Sequence, residues 1–332
     1  MQTNNVKIKT EVIKEMEGFV AEQLHLLKSV DKCWQPADLL PSFGGQNWHE
    51  ELEEFRQGLK GVSDELLGVL IGNMITEEAL PSYETWLSSL AGIGGHGGVS
   101  DSPWALWTRG WTAEENRHGD VLKTYLYLSG RVDMHSIEVT IQYLIKNGFD
   151  PYSGQDAYQG LVYTSIQEKA TAISHTNTGK LAASCSDETL SKMCVRIAGD
   201  EARHERAYKL FFGKILELDP SGALQAFEAM MKKKVVMPGQ GMEDGKVDLF
   251  AQHVLISQRM GIYTTRNYAE VVAHFIDFWN ISNLTQLSPE GAKAQEYLCG
   301  LSTRYLDRAD RIESRIAKMP KTPCPWLFGR PI

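Results

Sequence analysis

Two four-residue motifs constrain this chain more than anything else in it: Glu115-Asn-Arg-His118 and Glu201-Ala-Arg-His204. Both read Glu-x-Arg-His, and they lie 86 residues apart (201 − 115). Positions i and i+3 share one helix face, so each motif aims a carboxylate and an imidazole at the same point. Two such pairs, joined by one glutamate from each of two further helices, make the ligand set of a dinuclear carboxylate site inside a four-helix bundle. A chain that uses them so must also supply four long helices and two more glutamates.

The apolar spacing is mostly three and four, and strand-like alternation is scarce. Long helices are expected at about 63–90, 103–129, 155–181 and 186–218, with Ser63, Ser102-Pro103 and Ser186 as their start signals and a kink at Pro81. Asp133 is expected to cap a shorter helix ending at Asn147-Gly148, and Asp219-Pro220 to break the last long one. Other helices are expected over 8–30, 221–235, 247–264, 267–282 and 288–317, before an extended Pro-rich tail. The third long helix offers Glu168 among small and apolar neighbours. The first offers Glu77, Glu78 and Glu84; Glu77 is preferred because it precedes Glu115 by 38 residues, much as Glu168 precedes Glu201 by 33. The layout then reads Glu … Glu-x-x-His twice. Hard carboxylates with one imidazole per metal suit iron that cycles between Fe(II) and Fe(III), and four carboxylates balance two Fe(2+) ions.

The chain has 332 residues and a net charge of −8, which gives no support to nucleic-acid binding. Five scattered cysteines without a Cys-x-x-Cys argue for a reducing compartment and against thiolate metal sites. No apolar run approaches the ~20 residues of a spanning helix, and the N-terminus lacks a signal or transit-peptide pattern. Blander readings compete. Glu114, Arg117, Arg203 and Glu205 suit a solvated helix face with local ion pairs, and His135, His175, His253 and His274 suit ordinary surface or core roles. The literal G-x-G-x-x-G from Gly92 follows a helix rather than a strand, so a loop is expected there. Asn280-Ile-Ser and Asn283-Leu-Thr are glycosylation triplets in form only, and Lys232 to Lys234 reads as a solvated run.

The blocks EEALPSYETWLSSL, WTAEENRHGDVLKTYLYLSGRVDM, IQYLIKNGFDP, YTSIQEKATAISH and DEARHERAY resemble the plant soluble acyl-ACP desaturases, from about residue 12 to the terminal PWLFGRPI. The resemblance implies an all-α, ferritin-like bundle with additional helices, one domain over 1–332 with its core at about 63–218. It implies a homodimer of the plastid stroma that uses two irons per subunit, O₂ and ferredoxin electrons to desaturate an acyl chain on acyl carrier protein. It assigns Glu77, Glu115, His118, Glu168, Glu201 and His204 as ligands, Thr171 beside the oxygen-binding face, Trp34 and Asp200 as an electron path to His118, and Lys28 and Lys32 as carrier contacts. Channel positions would be Tyr83, Trp86, Ser89, Leu90, Phe149, Pro151, Ser153, Gly160 and Leu161. Trp86 replaces a methionine of the type enzyme, Ser89 a threonine and Leu161 a phenylalanine, while Ala251 stands for an acidic residue near the mouth. A bulky ring at 86 is expected to shorten the pocket below the metals. Δ9 desaturation of an eighteen- or sixteen-carbon chain is the first reading, and a Δ4 or Δ6 sixteen-carbon specialist the second. A di-iron hydroxylase or peroxidase, and a non-enzymatic iron or carrier-binding protein, are rivals on the same scaffold.

Overall fold

The structure, a computed structural model, describes residues 2–332 apart from 42–43, 95–99, 234–237 and 246–247, with side chains from residue 7 onward. Part of the glycine loop after Gly92 and the end of the lysine run at Lys234 lie outside the described residues. The helices are α1 (Gln2–Glu15), α2 (Glu17–Gln23), α3 (Trp48–Gly58), α4 (Asp64–Glu78), α5 (Leu80–Ser89), α6 (Pro103–Ser129), α7 (Met134–Asn147), α8 (Ala157–Ser184), α9 (Glu188–Leu218), α10 (Pro220–Lys232), α11 (Leu249–Arg259), α12 (Thr265–Phe278), α13 (Pro289–Cys299) and α14 (Leu301–Ile316). Extended pairing among the described residues is limited to two isolated bridges. The fold is all-helical.

Side-chain caps start the bundle helices. Ser63 accepts from the Leu66 N–H, Ser102 from Ala105, Asp156 from Tyr158 and Gln159, and Asp187 from Leu190. The cap of α9 is thus Asp187 rather than Ser186, which takes a left-handed conformation at φ 65. The first long segment breaks rather than kinks. Pro81 has no N–H to give the Glu77 carbonyl four residues back, so α4 ends at Glu78 and α5 starts afresh at Leu80. The expected 8–30 helix divides at Met16 and stops by Leu26, and the 288–317 helix divides at Gly300. The tail folds back instead of hanging free: Trp326, Leu327 and Ile332 are buried, and the Trp326 indole donates to Thr140 at 3.0 Å.

The apolar core falls into two clusters. One holds Trp104, Trp107 and Trp111 of α6, Leu161 and Ile166 of α8, and Tyr208 to Ile215 of α9. The other holds Leu66 to Ile75 of α4, Val121 to Tyr125 of α6, and Leu190 to Ile197 of α9. Helices α6, α8 and α9 cross a polar layer between them, and α4 ends in it. The order of clusters along the chain makes α4 and α9 run one way and α6 and α8 the other. The α6–α8 connection passes through α7, the long crossover of ferritin-like bundles.

Candidate metal centre

The polar layer is where the two motifs meet. Glu115 and His118 point inward from the middle of α6, and Glu201 and His204 from the middle of α9. Glu77 comes from the end of α4 and Glu168 from α8. Ligand-capable atoms of Glu77, Glu115, His118 and Glu201 all lie within 4.8 Å of one another, as do those of Glu115, Glu168, Glu201 and His204. Glu115 and Glu201 belong to both groups, so a pair of cations would share them, while Glu77 and Glu168 each belong to one group. His118 Nδ1 lies 3.0 Å from Glu115 and 3.4 Å from Glu201; His204 Nδ1 lies 2.7 Å from Glu115 and 3.8 Å from Glu201. Of the three candidates on the first long segment, Glu77 is the one aimed at the centre. Glu78 turns to Lys123 at 2.8 Å and Glu84 accepts from Ser88. Gly119 lets α4 come this close, since a Cβ there would sit 2.8 Å from Glu78 Oε1.

These residues fit a pair of cations. Burying four carboxylates together is costly unless positive charge joins them. The Nδ1 atoms of both histidines and Glu115 Oε1 are buried without a hydrogen bond. Without metal, burial pushes Glu77 and Glu168 up, only partly opposed by the hydrogen bond of Glu77 with His175 and by the His204 imidazole beside Glu168. Burial also raises Glu201, but the imidazoles of His118 and His204 beside it outweigh this and hold it well below the usual carboxylate range. Desolvation lowers both imidazoles, yet the surrounding carboxylates win and lift them well above the usual histidine range. Cations would replace the protons these groups hold.

An outer ring orients the ligands. His118 Nε2 faces Asp200 at 3.5 Å, and His204 Nε2 faces Glu114 at 3.2 Å. The acid preceding each motif's glutamate therefore steadies the histidine of the other motif, across the α6–α9 interface. Arg203 links the two acids, at 2.5 Å from Glu114 and 2.9 Å from Asp200. Lys28 does the same with its backbone N–H on Glu114 at 2.6 Å and its ammonium on Asp200 at 3.1 Å. The end carboxylates are held too: His175 pairs with Glu77 at 3.0 Å, and the Trp111 indole donates to Glu168 at 3.0 Å. The solvated-face reading of Glu114, Arg117 and Arg203 is thereby corrected, since Glu114 is 3 % exposed and Arg117 6 %. His175, read as an ordinary histidine, belongs to this ring. The sequence held one clue to it: Glu114-Glu115 and Asp200-Glu201 are doubled acids at matching places.

Trp34 sits at one edge of the ring. Its indole donates to Asp200 at 2.8 Å, its ring stacks on His118 at 6.1 Å between centroids, and Arg117 covers it at 4.8 Å. Lys32 is exposed in the turn just before it.

On the α4–α8 side an outer cavity of about 710 Å³ reaches in from the surface past Thr171, Gln167 and Thr76. These three also line a small inner pocket with Glu77, Glu168 and Glu201, walled by Tyr83, Trp86, Phe149 and Tyr163. Thr171 Oγ1 donates to the Glu168 carbonyl at 3.0 Å. Trp86 is fixed by a 3.0 Å bond to Ser153 and by edge contacts with Phe149 and Tyr163. Among the nine expected channel residues, then, Tyr83, Trp86 and Phe149 line the pocket and Ser153 supports it. Leu90 packs on Gly160, Leu161 and Pro151 are buried, and Ser89 is exposed with its hydroxyl on the Trp86 carbonyl; none of these lines either cavity.

Comparison with known proteins agrees with this geometry. The family described as fatty acid desaturase matches residues 8–328. The chain is 47 % identical over 327 residues to stearoyl-[acyl-carrier-protein] 9-desaturase 1, chloroplastic, of Arabidopsis thaliana, covering 98 % of this chain and 83 % of that protein. It is 48 % identical over 326 residues to the stearoyl-[acyl-carrier-protein] 9-desaturase of Olea europaea, covering 98 % and 84 %. Among solved structures, an acyl-ACP desaturase of Mycobacterium tuberculosis shares the fold at TM-score 0.53 and 17 % identity, covering 86 % of this chain and 99 % of that one.

Proposed function

The chain belongs to the fatty acid desaturase family, and on that premise we propose that it puts a cis double bond into a saturated acyl chain carried on acyl carrier protein, in fatty acid biosynthesis. The Δ9 position is favoured, as in the names of its relatives. One observation carries the reading: an outer cavity open to the surface adjoins, at Thr76, Gln167 and Thr171, a small apolar-walled pocket lined by Glu77, Glu168 and Glu201 of a centre fit for two cations. That shape suits an inert alkyl chain laid past a metal pair with its methyl end inward.

The reaction removes two hydrogens from adjacent methylenes. With O₂, two electrons and two protons, the products are the alkene and two waters. Iron, held by Glu77, Glu115, His118, Glu168, Glu201 and His204 at two ions per subunit, would supply oxygen activation. The protein does the rest. Tyr83, Trp86 and Phe149 stop the methyl end and so set which carbons face Glu77 and Glu168. Thr171 places a hydroxyl where the two cavities join. The outer ring keeps both imidazoles turned inward by occupying their other nitrogens.

The short route from solvent to the centre is Trp34–Asp200–His118, which suits electron delivery from ferredoxin. Lys28 and Arg203 lie beside that route on the α6–α9 side, whereas the cavity opens on the α4–α8 side. Lys28 and Lys32 are therefore better placed to meet an acidic electron donor than the carrier, which would dock at the cavity mouth. Work in the plastid stroma is supported by the chloroplastic names of the relatives. Assembly as a homodimer follows the same family resemblance.

The test is product analysis. Iron-loaded protein is given ferredoxin, its reductase, NADPH and a panel of saturated acyl-ACPs, and double bonds are mapped by mass spectrometry. A single alkene from one chain length is expected, and Glu201→Ala should lose both iron and product while circular dichroism stays helical. Oxygenated product would move the assignment to a hydroxylase, and an inert iron-loaded protein to a binding role.

A further inference from the structure

The outer cavity carries a charge that an alkyl chain cannot use. Its walls include Lys232, Lys233, Arg304 and Arg308 and no aspartate or glutamate, in a chain of net charge −8. Lys232 is answered by Glu228 at 2.6 Å. The other three meet no carboxylate among the described residues. Lys233 donates to the Tyr152 carbonyl and, at 2.7 Å, to Gln159 Oε1, and Arg304 donates to the Tyr297 carbonyl at 2.7 Å. Lys232 and Arg304 also crowd one ring, standing 4.9 and 4.7 Å from the centroid of Tyr297. Burial pushes the cavity's His253 down to about 4, so it adds no charge at neutral pH. Like charges gathered at one mouth repel unless an anion joins them.

Planar guanidinium groups beside an ammonium match a phosphate, with two or three charge-assisted hydrogen bonds available. We propose that Lys233, Arg304 and Arg308 form an anion subsite for the phosphate ester on the thioester arm that delivers the acyl chain. The subsite rests on the desaturase reading, because that reading supplies an acyl chain tethered through such an arm. Its chemistry is shared by carrier-bound phosphopantetheine and by coenzyme A. The subsite holds the head of the arm outside while the alkyl chain runs inward to Trp86, so it fixes the distance from phosphate to reacting carbons.

The full-length, iron-loaded protein without reductant would be titrated calorimetrically with palmitoyl-phosphopantetheine and with palmitoyl-pantetheine, which lacks the phosphate. The phosphate should tighten binding about ten-fold, the scale of one charge-assisted hydrogen bond, and the gain should shrink as salt rises. In the double variant Arg304→Gln, Arg308→Gln the two ligands should bind alike, with the dephosphorylated one unchanged. Both arginines are exposed, and a melting curve checks the fold; should the pair fail to fold, Lys233→Gln alone should narrow the same gap. Equal binding of both ligands to the unaltered chain, a gain that survives the substitutions, or no binding of either would overturn the proposal. Palmitoyl-coenzyme A and palmitoyl-ACP as further ligands tell the sources apart: additional tightening by the protein carrier assigns the arm to it, and its absence assigns the arm to coenzyme A. Should acyl-ACP give no alkene while the phosphate gain persists, the subsite stands and the desaturase reading falls.

Discussion

At the residue scale, the candidate ligands are held by side chains that are not themselves candidates. Trp111 gives Glu168 an indole donor, at 3.0 Å, in a buried setting. Trp111→Phe keeps the ring and leaves a carboxylate oxygen unanswered, which costs about 1–3 kcal/mol. Outer partners of this kind are worth about 10–100-fold in metal affinity, so the variant should release iron to a chelator on that scale faster than the unaltered chain. Trp107→Phe is the control. It lies one turn away on α6, its indole nitrogen has no hydrogen-bond partner, and it should hold iron normally. Equal retention by both variants would remove Trp111 from the ring. The inner groups were readable in sequence because i, i+3 spacing is a local rule. The ring was not, because Glu114 with His204, Asp200 with His118 and His175 with Glu77 are contacts between helices. No spacing within one helix encodes them; the doubled acids hint only that something repeats.

At the element scale, Pro81 does more than bend a helix. It leaves the Glu77 carbonyl without its usual partner and so ends α4 at the level where Glu77 must turn inward. Pro81→Ala removes that obstacle and raises helix propensity by up to about 3 kcal/mol. The melting temperature should therefore not fall, yet iron content should, because a continuous helix rotates Glu77 away from the centre. A variant with full iron occupancy would mean that packing of α5, not the proline, fixes the break. The same break delivers Trp86 to the inner pocket. Full truncation of a buried tryptophan costs about 3–5 kcal/mol, so Trp86→Leu is the gentler probe. Ser153 keeps an acceptor in the Gly154 carbonyl after the indole is gone. The enlarged pocket should shift the preferred substrate to acyl chains with a longer methyl tail, read from competition between two chain lengths; an unchanged ratio would place the chain stop elsewhere. Helix positions were legible from caps and periodicity. The start of α9 at Asp187 and the splits at Ala79 and Gly300 were not, because they follow from competition among neighbouring breakers rather than from any one residue.

At the scale of the whole molecule, the two approaches to the centre lie on different sides of the bundle. Trp34, Lys28 and Arg203 stand over the α6–α9 side, while the cavity opens between α4 and α8 under α11, α12 and α14. The polar layer joins the two sides through the carboxylates and imidazoles themselves. This two-sidedness was hidden in the sequence: Lys28 and Lys32 read as a basic patch for an acidic partner, and nothing local says which partner. The structure makes the choice testable. Lys32 is exposed and outside the ring, so Lys32→Glu should slow reduction by ferredoxin severalfold, more at low salt than at high, while the KM for acyl-ACP stays put. Arg304→Gln should do the reverse, raising the KM for acyl-ACP with the rate of ferredoxin reduction unaltered. Both rates can be read on one preparation, by stopped-flow reduction and by steady-state product formation. If Lys32→Glu instead raised the KM for acyl-ACP, carrier and electron donor would share the α6–α9 side, and the cations at the cavity mouth would need another partner.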